Sequence, residues 1–115
     1  MAARAGNPCP RLQLDEEAVA DAHKRAKGDL IAAVKSLANI PLDPEALIVG
    51  FARRMTGYKR PLLLFSDLDR LTEVASRYRI QVVMAGKAHP RDEAGKEAIR
   101  QLYELCRVLR GKVTC

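Results

Sequence analysis

Four cations lie within eight residues of the sequence, in the stretch VGFARRMTGYKR. Residues 53–60 contain Arg53, Arg54, Lys59 and Arg60 but no carboxylate, whereas the whole chain has 20 Lys and Arg against 14 Asp and Glu. Most of the net charge of +6 is therefore local. A nucleic-acid-binding face would spread its cations along an element. The pattern instead favours a pocket for one anion, and solvated loop charges are the alternative interpretation.

An arginine and a lysine at this spacing suit a phosphoryl group. Arg54 can offer a planar fork to phosphate oxygens, and Lys59 can add a compact ammonium charge. We predict that Arg54 lies in a loop and Lys59 in the first turn of the helix that follows. The N-terminus of such a helix would add backbone N–H groups and a partial positive charge. Tyr58 is predicted to be structural and Arg60 to be solvated.

A second glycine-containing loop, Gly86-Lys87-Ala88-His89-Pro90, follows another apolar run. Gly86 would let the backbone approach a ligand, and Lys87 supplies one more cation. His89 is a candidate base, although a lone loop histidine more often has a surface or packing role. We take Gly50, Gly86, Lys87 and His89 as candidate lining residues. No complete catalytic set is apparent.

Two short apolar runs predict strands over residues 46–52 and 80–86. Unbroken runs of this kind are typical of strands buried on both faces of a parallel sheet. In such sheets ligands bind at the carboxyl ends of the strands. The loops at residues 53–58 and 87–92 both follow those ends, so we expect them to open on the same side of the sheet.

Apolar residues at helical spacing predict helices over residues 15–39, 58–75 and 92–111. Asp15 and Asp92 are predicted N-caps, and the middle helix is broken at Ser66 or Asp67, which caps its continuation. Gly111 ends the last helix, and Val113–Cys115 begin a third strand. The predicted fold class is α/β, a partial Rossmann-like parallel sheet with a long N-terminal helix followed by β-α-β-α.

The ends of the chain and its cysteines carry no site chemistry. We predict a flexible segment at residues 1–14 and a single phosphate-binding lobe at residues 15–115, with no signal peptide or membrane span. The three cysteines have no metal-ligand spacing, so no metal site is expected. Cys106 suits a core position, and Cys9 and Cys115 are expected to be free thiols in a reducing, cytoplasmic compartment.

Neither GxGxxG nor GxxxxGK[ST] follows either strand, so the usual nucleotide fingerprints are absent. The residues alone therefore predict a phosphate or phospho-sugar site in a parallel α/β fold.

Two longer motifs carry a family resemblance. GFARRMTGYKRPLLLFSDLDRL and QVVMAGKAHPRDEAGKEAI, in this order and separation, resemble the α-glucan phosphorylases, which act on glycogen, starch and maltodextrin. LDEEAVADAHKRAKGDLIAAV resembles the helix leading into the C-terminal lobe of that family. The resemblance covers residues 15–113.

The resemblance implies the start of the C-terminal, Rossmann-like lobe of a GT-B glycosyltransferase. Enzymes of the family transfer a glucosyl unit from an α-1,4-glucan to orthophosphate and hold pyridoxal phosphate between two lobes. By position in the motif, Arg54 and Lys59 are similar to substrate phosphate-binding residues, and Arg53 and Lys59 to cofactor phosphate-binding residues. Arg53 replaces a frequent lysine. Thr56 and Gly57 replace a His-Glu pair of the animal and plant enzymes, so the contacts of that pair do not carry over.

The resemblance also implies what is missing. The cofactor attachment lysine has no counterpart here, so no covalently bound cofactor is expected. The N-terminal lobe that binds much of the glucan is absent as well, so orthophosphate or a sugar phosphate is the expected partner, and α-glucan only with that lobe. We expect a phosphorylase fragment that is inactive alone.

Two alternatives stay open. One is a non-catalytic α/β module that forms a homodimer through exposed sheet edges or the first helix. The other is a fragment of a GT-B glycosyltransferase that uses a nucleotide sugar, against which the YKR and GKAHP segments argue.

Overall fold

The computed structural model describes residues 15–115, which divide into two compact units, one ending at Pro41 and the other spanning Leu42–Cys115. The predicted flexible segment at residues 1–14, with Cys9, lies outside the described residues. That residues 15–115 form a single lobe stays a prediction. Within residues 15–115, no helix has both the length and the hydropathy needed to cross a membrane.

The first unit contains helix α1, Glu16–Ala38. The Asp15 carboxylate caps it by accepting the backbone N–H of Glu17 at 3.2 Å. Asn39 ends the helix in the left-handed conformation, with φ 54°. The predicted long N-terminal helix is thus confirmed. No residue of α1 is buried.

The second unit is built on two parallel strands, β1 (Leu47–Ala52) and β2 (Ile80–Ala85), which pair in register over their full length. Helix α2, Leu68–Arg77, connects them, and helix α3, Glu93–Val108, follows β2. This α/β arrangement is consistent with a partial Rossmann-like lobe, as the sequence predicted.

Aspartates cap both helices of the second unit. The Asp67 carboxylate accepts the backbone N–H of Arg70, and the Asp92 carboxylate accepts that of Gly95, each at 2.9 Å. Each satisfies an N–H group that the first helical turn would otherwise leave without a partner. Both predicted caps are confirmed.

The segment between β1 and α2 differs from the prediction. We expected a helix from about Tyr58, but the chain forms two short 3₁₀ turns, Gly57–Lys59 and Leu63–Phe65. Pro61 explains the difference, because a proline disfavours right-handed helical backbone at the residue before it. Arg60 accordingly adopts the left-handed conformation, with φ 49°.

A third strand begins beside β2, as predicted. Thr114 forms a parallel bridge with Gln81, and its carbonyl accepts the backbone N–H of Val82 at 2.8 Å. The chain reverses between α3 and this bridge at Gly111, whose φ of 85° favours glycine.

The core of the second unit lies on one face of the sheet. Its buried residues are Met55, Phe65, Leu71, Val82, Leu102, Leu109 and Val113. Phe51 and Met84, which pair across β1 and β2, pack against this core. No residue of β1 is fully buried. The prediction that this strand is buried on both faces is therefore wrong.

Gln81 is the buried polar residue of β2, and it holds the connector that precedes β1. Its side-chain carbonyl accepts the backbone N–H of Asp43 at 2.6 Å, and its amide donates to the Asp43 carbonyl at 2.9 Å. The side chain thereby reproduces the two hydrogen bonds of a strand partner. Leu42 and Ala46 are buried on either side of this contact.

We predict that Gln81→Leu lowers the free energy of unfolding by about 2 kcal/mol, because it leaves the backbone N–H of Asp43 without its partner. The Asp43 carbonyl loses the Gln81 amide but keeps the Ala46 N–H at 3.3 Å. Denaturant titration followed by circular dichroism measures the loss of stability. The matched control is Gln101→Leu at an exposed position on α3, with a change within about 0.5 kcal/mol. A loss at Gln81 no larger than that of the control would contradict the assigned role.

Cys106 and Cys115 are half-buried free thiols, which confirms the prediction for Cys115. Burial raises the pKa of the Cys115 thiol from 9.0 to about 12, and a side-chain hydrogen bond with Cys106 adds to the rise. The folded chain thus holds this proton more tightly than the unfolded chain. The protonated Cys115 thiol therefore contributes to the free energy of unfolding. This contribution is fully present below pH 9 and is lost as the pH rises toward 12.

We therefore predict that Cys115 is alkylated slowly, because the thiolate is the reactive form. In the folded chain its rate with iodoacetamide should keep rising about tenfold per pH unit from about pH 8 to about pH 10.5. In guanidinium-unfolded chain the rate should level off near pH 9. Peptide mapping by mass spectrometry reports Cys115 directly, and a plateau near pH 9 in the folded chain would show that the thiol is not protected.

Candidate anion-binding site

The hydrogen-bond ladder between the strands continues into the two loops. The backbone N–H of Arg53 donates to the Ala85 carbonyl at 3.1 Å, and that of Met55 donates to the Lys87 carbonyl at 3.0 Å. The loops after β1 and β2 therefore run side by side at the carboxyl edge of the sheet. This confirms the prediction that both open on the same side.

Gly86 allows this close approach of the loops. A Cβ atom at residue 86 would lie 2.0 Å from the Arg53 carbonyl oxygen and 3.1 Å from the Met55 methyl carbon. The first contact is with backbone and cannot be relieved by a rotamer change, so a larger residue would force the strands apart. The sequence predicted a close approach to a ligand at Gly86, whereas the structure shows a close approach to the neighbouring loop.

The predicted cations lie in the loops that follow the two strands, and within residues 15–115 they form no salt bridge. Arg53, Arg54 and Lys87 are exposed, and Lys59 is half-buried. Within residues 15–115 none of these four side chains forms a salt bridge. Five other arginines do form salt bridges with carboxylates, namely Arg70, Arg77, Arg79, Arg100 and Arg107. Side chains without internal partners are free to bind an external anion.

Lys59 lies at the end of the first 3₁₀ turn, with its ammonium 5.6 Å from the centre of the Tyr58 ring. The expectation that it lies in the first turn of an α-helix is wrong, because Pro61 prevents a continuous helix here. The helix-dipole contribution predicted for the first loop is therefore lost. Any anion bound here is attracted by the side chains rather than by a helix terminus.

The second loop contributes less to the site than its residue types suggested. The His89 Nδ1 accepts the backbone N–H of Arg91 at 3.1 Å, and the His89 carbonyl accepts that of Asp92 at 2.9 Å. His89 thus stabilises the turn before α3, which is the structural alternative to a catalytic base. Gly50 lies within β1, two residues before its end, and is exposed.

Sequence reasoning missed Met55 and Gly95. Met55 occupies the middle of the cationic stretch, yet its side chain is 3% exposed and belongs to the core. Gly95 lies in the first turn of α3 and is buried against the Met55 carbonyl. An apolar residue inside a charged loop and a glycine inside a helix were the available signals.

An open groove of about 590 Å³ lies between residues 57–66 and α3. Its lining is mostly apolar and includes Arg60, but it contains none of Arg53, Arg54, Lys59 and Lys87. The groove is thus not the anion site. Elsewhere in residues 15–115, no three His, Cys, Asp or Glu side chains are grouped closely enough to hold a metal ion.

Comparison with known proteins identifies relatives of this segment. The chain is 37% identical over 81% of its length to maltodextrin phosphorylase from Thermococcus litoralis. It is 48% identical over 57% of its length to glycogen phosphorylase from Aquifex aeolicus, and 47% identical over 52% to that from Mycobacterium tuberculosis. The matches span 13%, 10% and 7% of these three relatives. No protein-family model matches the chain.

Proposed function

Because this chain belongs to the α-glucan phosphorylase family, we propose that residues 53–60 supply part of a phosphorylase phosphate site. The proposed activity of the whole protein is transfer of a glucosyl unit from an α-1,4-glucan to orthophosphate, which gives glucose 1-phosphate. One observation carries the proposal: cations that form no salt bridge within residues 15–115 follow a strand whose parallel neighbour ends at the same edge. They do so inside a segment similar to the phosphorylases.

In this proposal Arg54 and Lys59 bind the substrate phosphate. The guanidinium of Arg54 would orient two phosphate oxygens through parallel hydrogen bonds, and the ammonium of Lys59 would offset part of the remaining charge. Holding orthophosphate in one orientation is itself a contribution to rate, because it removes the entropy of bringing the nucleophile to the sugar.

The family resemblance also implies pyridoxal phosphate, and the described residues fit its phosphate group. Arg53 and Lys59 would hold that phosphate, since both are cations of one loop without an ion-pair partner in residues 15–115. When bound, the cofactor supplies a second phosphate whose pKa of about 6 lets it exchange a proton near neutral pH. No residue of this chain is assigned to the aldehyde of the cofactor, because the attachment motif has no match in the sequence.

The proposal extends to partners and location. Orthophosphate or a sugar phosphate is the proposed ligand of this chain, and α-glucan that of the whole protein. A GT-B architecture and a cytoplasmic location follow from the same family assignment. The free thiols of Cys106 and Cys115 support a reducing compartment.

Self-association is the second candidate function, and a specific observation favours it. Helix α1 has no buried residue, and it exposes Val19, Leu30 and Leu37, the last to 89%. The exposed apolar side chains of α1 could pair two copies of the chain, as could the strand edge at Leu47, which is 61% exposed.

We predict that the 115-residue chain binds orthophosphate weakly, with an affinity of about 1 mM or poorer, since exposed charge pairs contribute about 1 kcal/mol or less each. Backbone amide NMR during a phosphate titration at low ionic strength should show saturable shifts at residues 53–60 and 86–89. Arg54→Ala should weaken binding about fivefold, and added salt should weaken it further because it screens exposed charges.

Arg110→Ala is the matched control, because it removes another exposed arginine that forms no salt bridge in residues 15–115, beyond the far end of α3. Equal losses in the two variants would indicate a net-charge effect and contradict the site. Saturation by a nucleotide sugar but not by phosphate would support a nucleotide-sugar transferase. Flat shifts combined with a mass that rises with concentration in sedimentation equilibrium would support the self-associating module.

We also predict that the 115-residue chain alone is inactive as a phosphorylase. It corresponds to at most 13% of the relatives compared above, and transferase rates depend on groups positioned around both substrates. A coupled assay for glucose 1-phosphate, with maltodextrin, orthophosphate and pyridoxal phosphate, should give the rate of the buffer blank. Release above that blank, abolished by Arg54→Ala, would disprove the prediction.

A further inference from the structure

Met55 is held on three sides by neutral contacts. Its side chain lies in the core, its backbone N–H donates to the Lys87 carbonyl at 3.0 Å, and its carbonyl faces Gly95 at the start of α3. Arg53, two residues earlier, is held by its own bond to Ala85 and by the contact of its carbonyl with Gly86. Arg54 lies between these two fixed residues.

The contact at Gly95 leaves no room for a side chain. A Cβ atom at residue 95 would lie 2.4 Å from the Met55 carbonyl oxygen and 2.7 Å from Oδ2 of Asp92. The Asp92 carboxylate can move only by disturbing the cap, since its Oδ1 accepts the Gly95 N–H. The Met55 carbonyl can move only if the loop moves. A glycine at residue 95 therefore sets how closely the cationic loop approaches α3.

From this geometry we propose that Gly95 is a positioning residue for Arg54. By admitting the Met55 carbonyl to the first turn of α3, it holds the backbone of Arg54 in its anion-binding position before the anion arrives. The inference rests on the proposed phosphate-binding role of Arg54, and it adds a determinant that carries no charge and makes no contact with the ligand.

Gly95→Ala tests this inference, with Gly28→Ala in α1 as the matched control. Both add one methyl group to a glycine inside a helix, but a Cβ atom at residue 28 meets no atom within 4 Å. Alanine also favours the helix at residue 95, which offsets part of the strain and helps the variant to fold. We expect Gly95→Ala to weaken phosphate binding about threefold in the folded chain, which is less than the loss expected for Arg54→Ala, and Gly28→Ala to leave it unchanged.

A double-mutant cycle separates positioning from general destabilisation. If Gly95 acts through Arg54, then Gly95→Ala should have no further effect on phosphate affinity in the Arg54→Ala background. Equal effects in both backgrounds would overturn the inference, and so would unchanged binding by Gly95→Ala in a chain whose wild type binds phosphate. Absence of phosphate binding by the wild type would instead contradict the proposed function itself.

Hydrogen exchange in the wild-type chain decides the question if Gly95→Ala does not fold. A loop positioned in advance should protect the Met55 amide, without phosphate, to the same degree as the Val82 amide in the sheet. Exchange of the Met55 amide at the rate of an open loop, faster than Val82 by more than about a thousandfold, would overturn the inference.

Discussion

The close approach of two backbones at Gly86 is the constraint on which the candidate site depends. The parallel ladder of β1 and β2 would otherwise end with the strands, but it extends to Arg53 and Met55 because residue 86 has no side chain. This extension converts two separate loops into one surface at the carboxyl edge of the sheet. Without it, Arg54 and Lys87 would belong to independent loops, and each would order its own backbone only on binding an anion, at an entropic cost.

The charges of the second unit are distributed in two different ways. On α2 and α3, arginines pair with glutamates three or four residues away, as Arg77 does with Glu73 and Arg107 with Glu104. Such exposed pairs contribute little to stability, and their main effect is to neutralise the helix surface. The cations of residues 53–60 have no such partners in the part of the chain that the structure describes. Four of the six net positive charges of the chain thus lie in residues 53–60, after β1, where an anion can relieve the repulsion.

The periodic elements could be predicted from the sequence, and the long-range contacts could not. Asp15, Asp67 and Asp92 each precede an apolar stripe, so the caps and the helix starts followed from local chemistry. The helix expected from Tyr58 does not form, because Pro61, although tolerated in the first turn of a helix, disfavours helical backbone at Arg60. The role of Gly95 was beyond prediction, because a glycine in a helix reveals nothing about which distant carbonyl lies against it.

The geometry of the cationic loop is determined locally, within residues 42–115. Met55 packs into the core, and its backbone contacts Lys87 and Gly95, all within the unit. Neutral groups thus fix the backbone, and within residues 15–115 the charged side chains of the loop form no salt bridge. A fixed backbone and cations available to an anion are conflicting requirements only if the same residues must meet both. Here the apolar Met55 and the glycines Gly86 and Gly95 fix the backbone, which leaves the cations available to bind an anion.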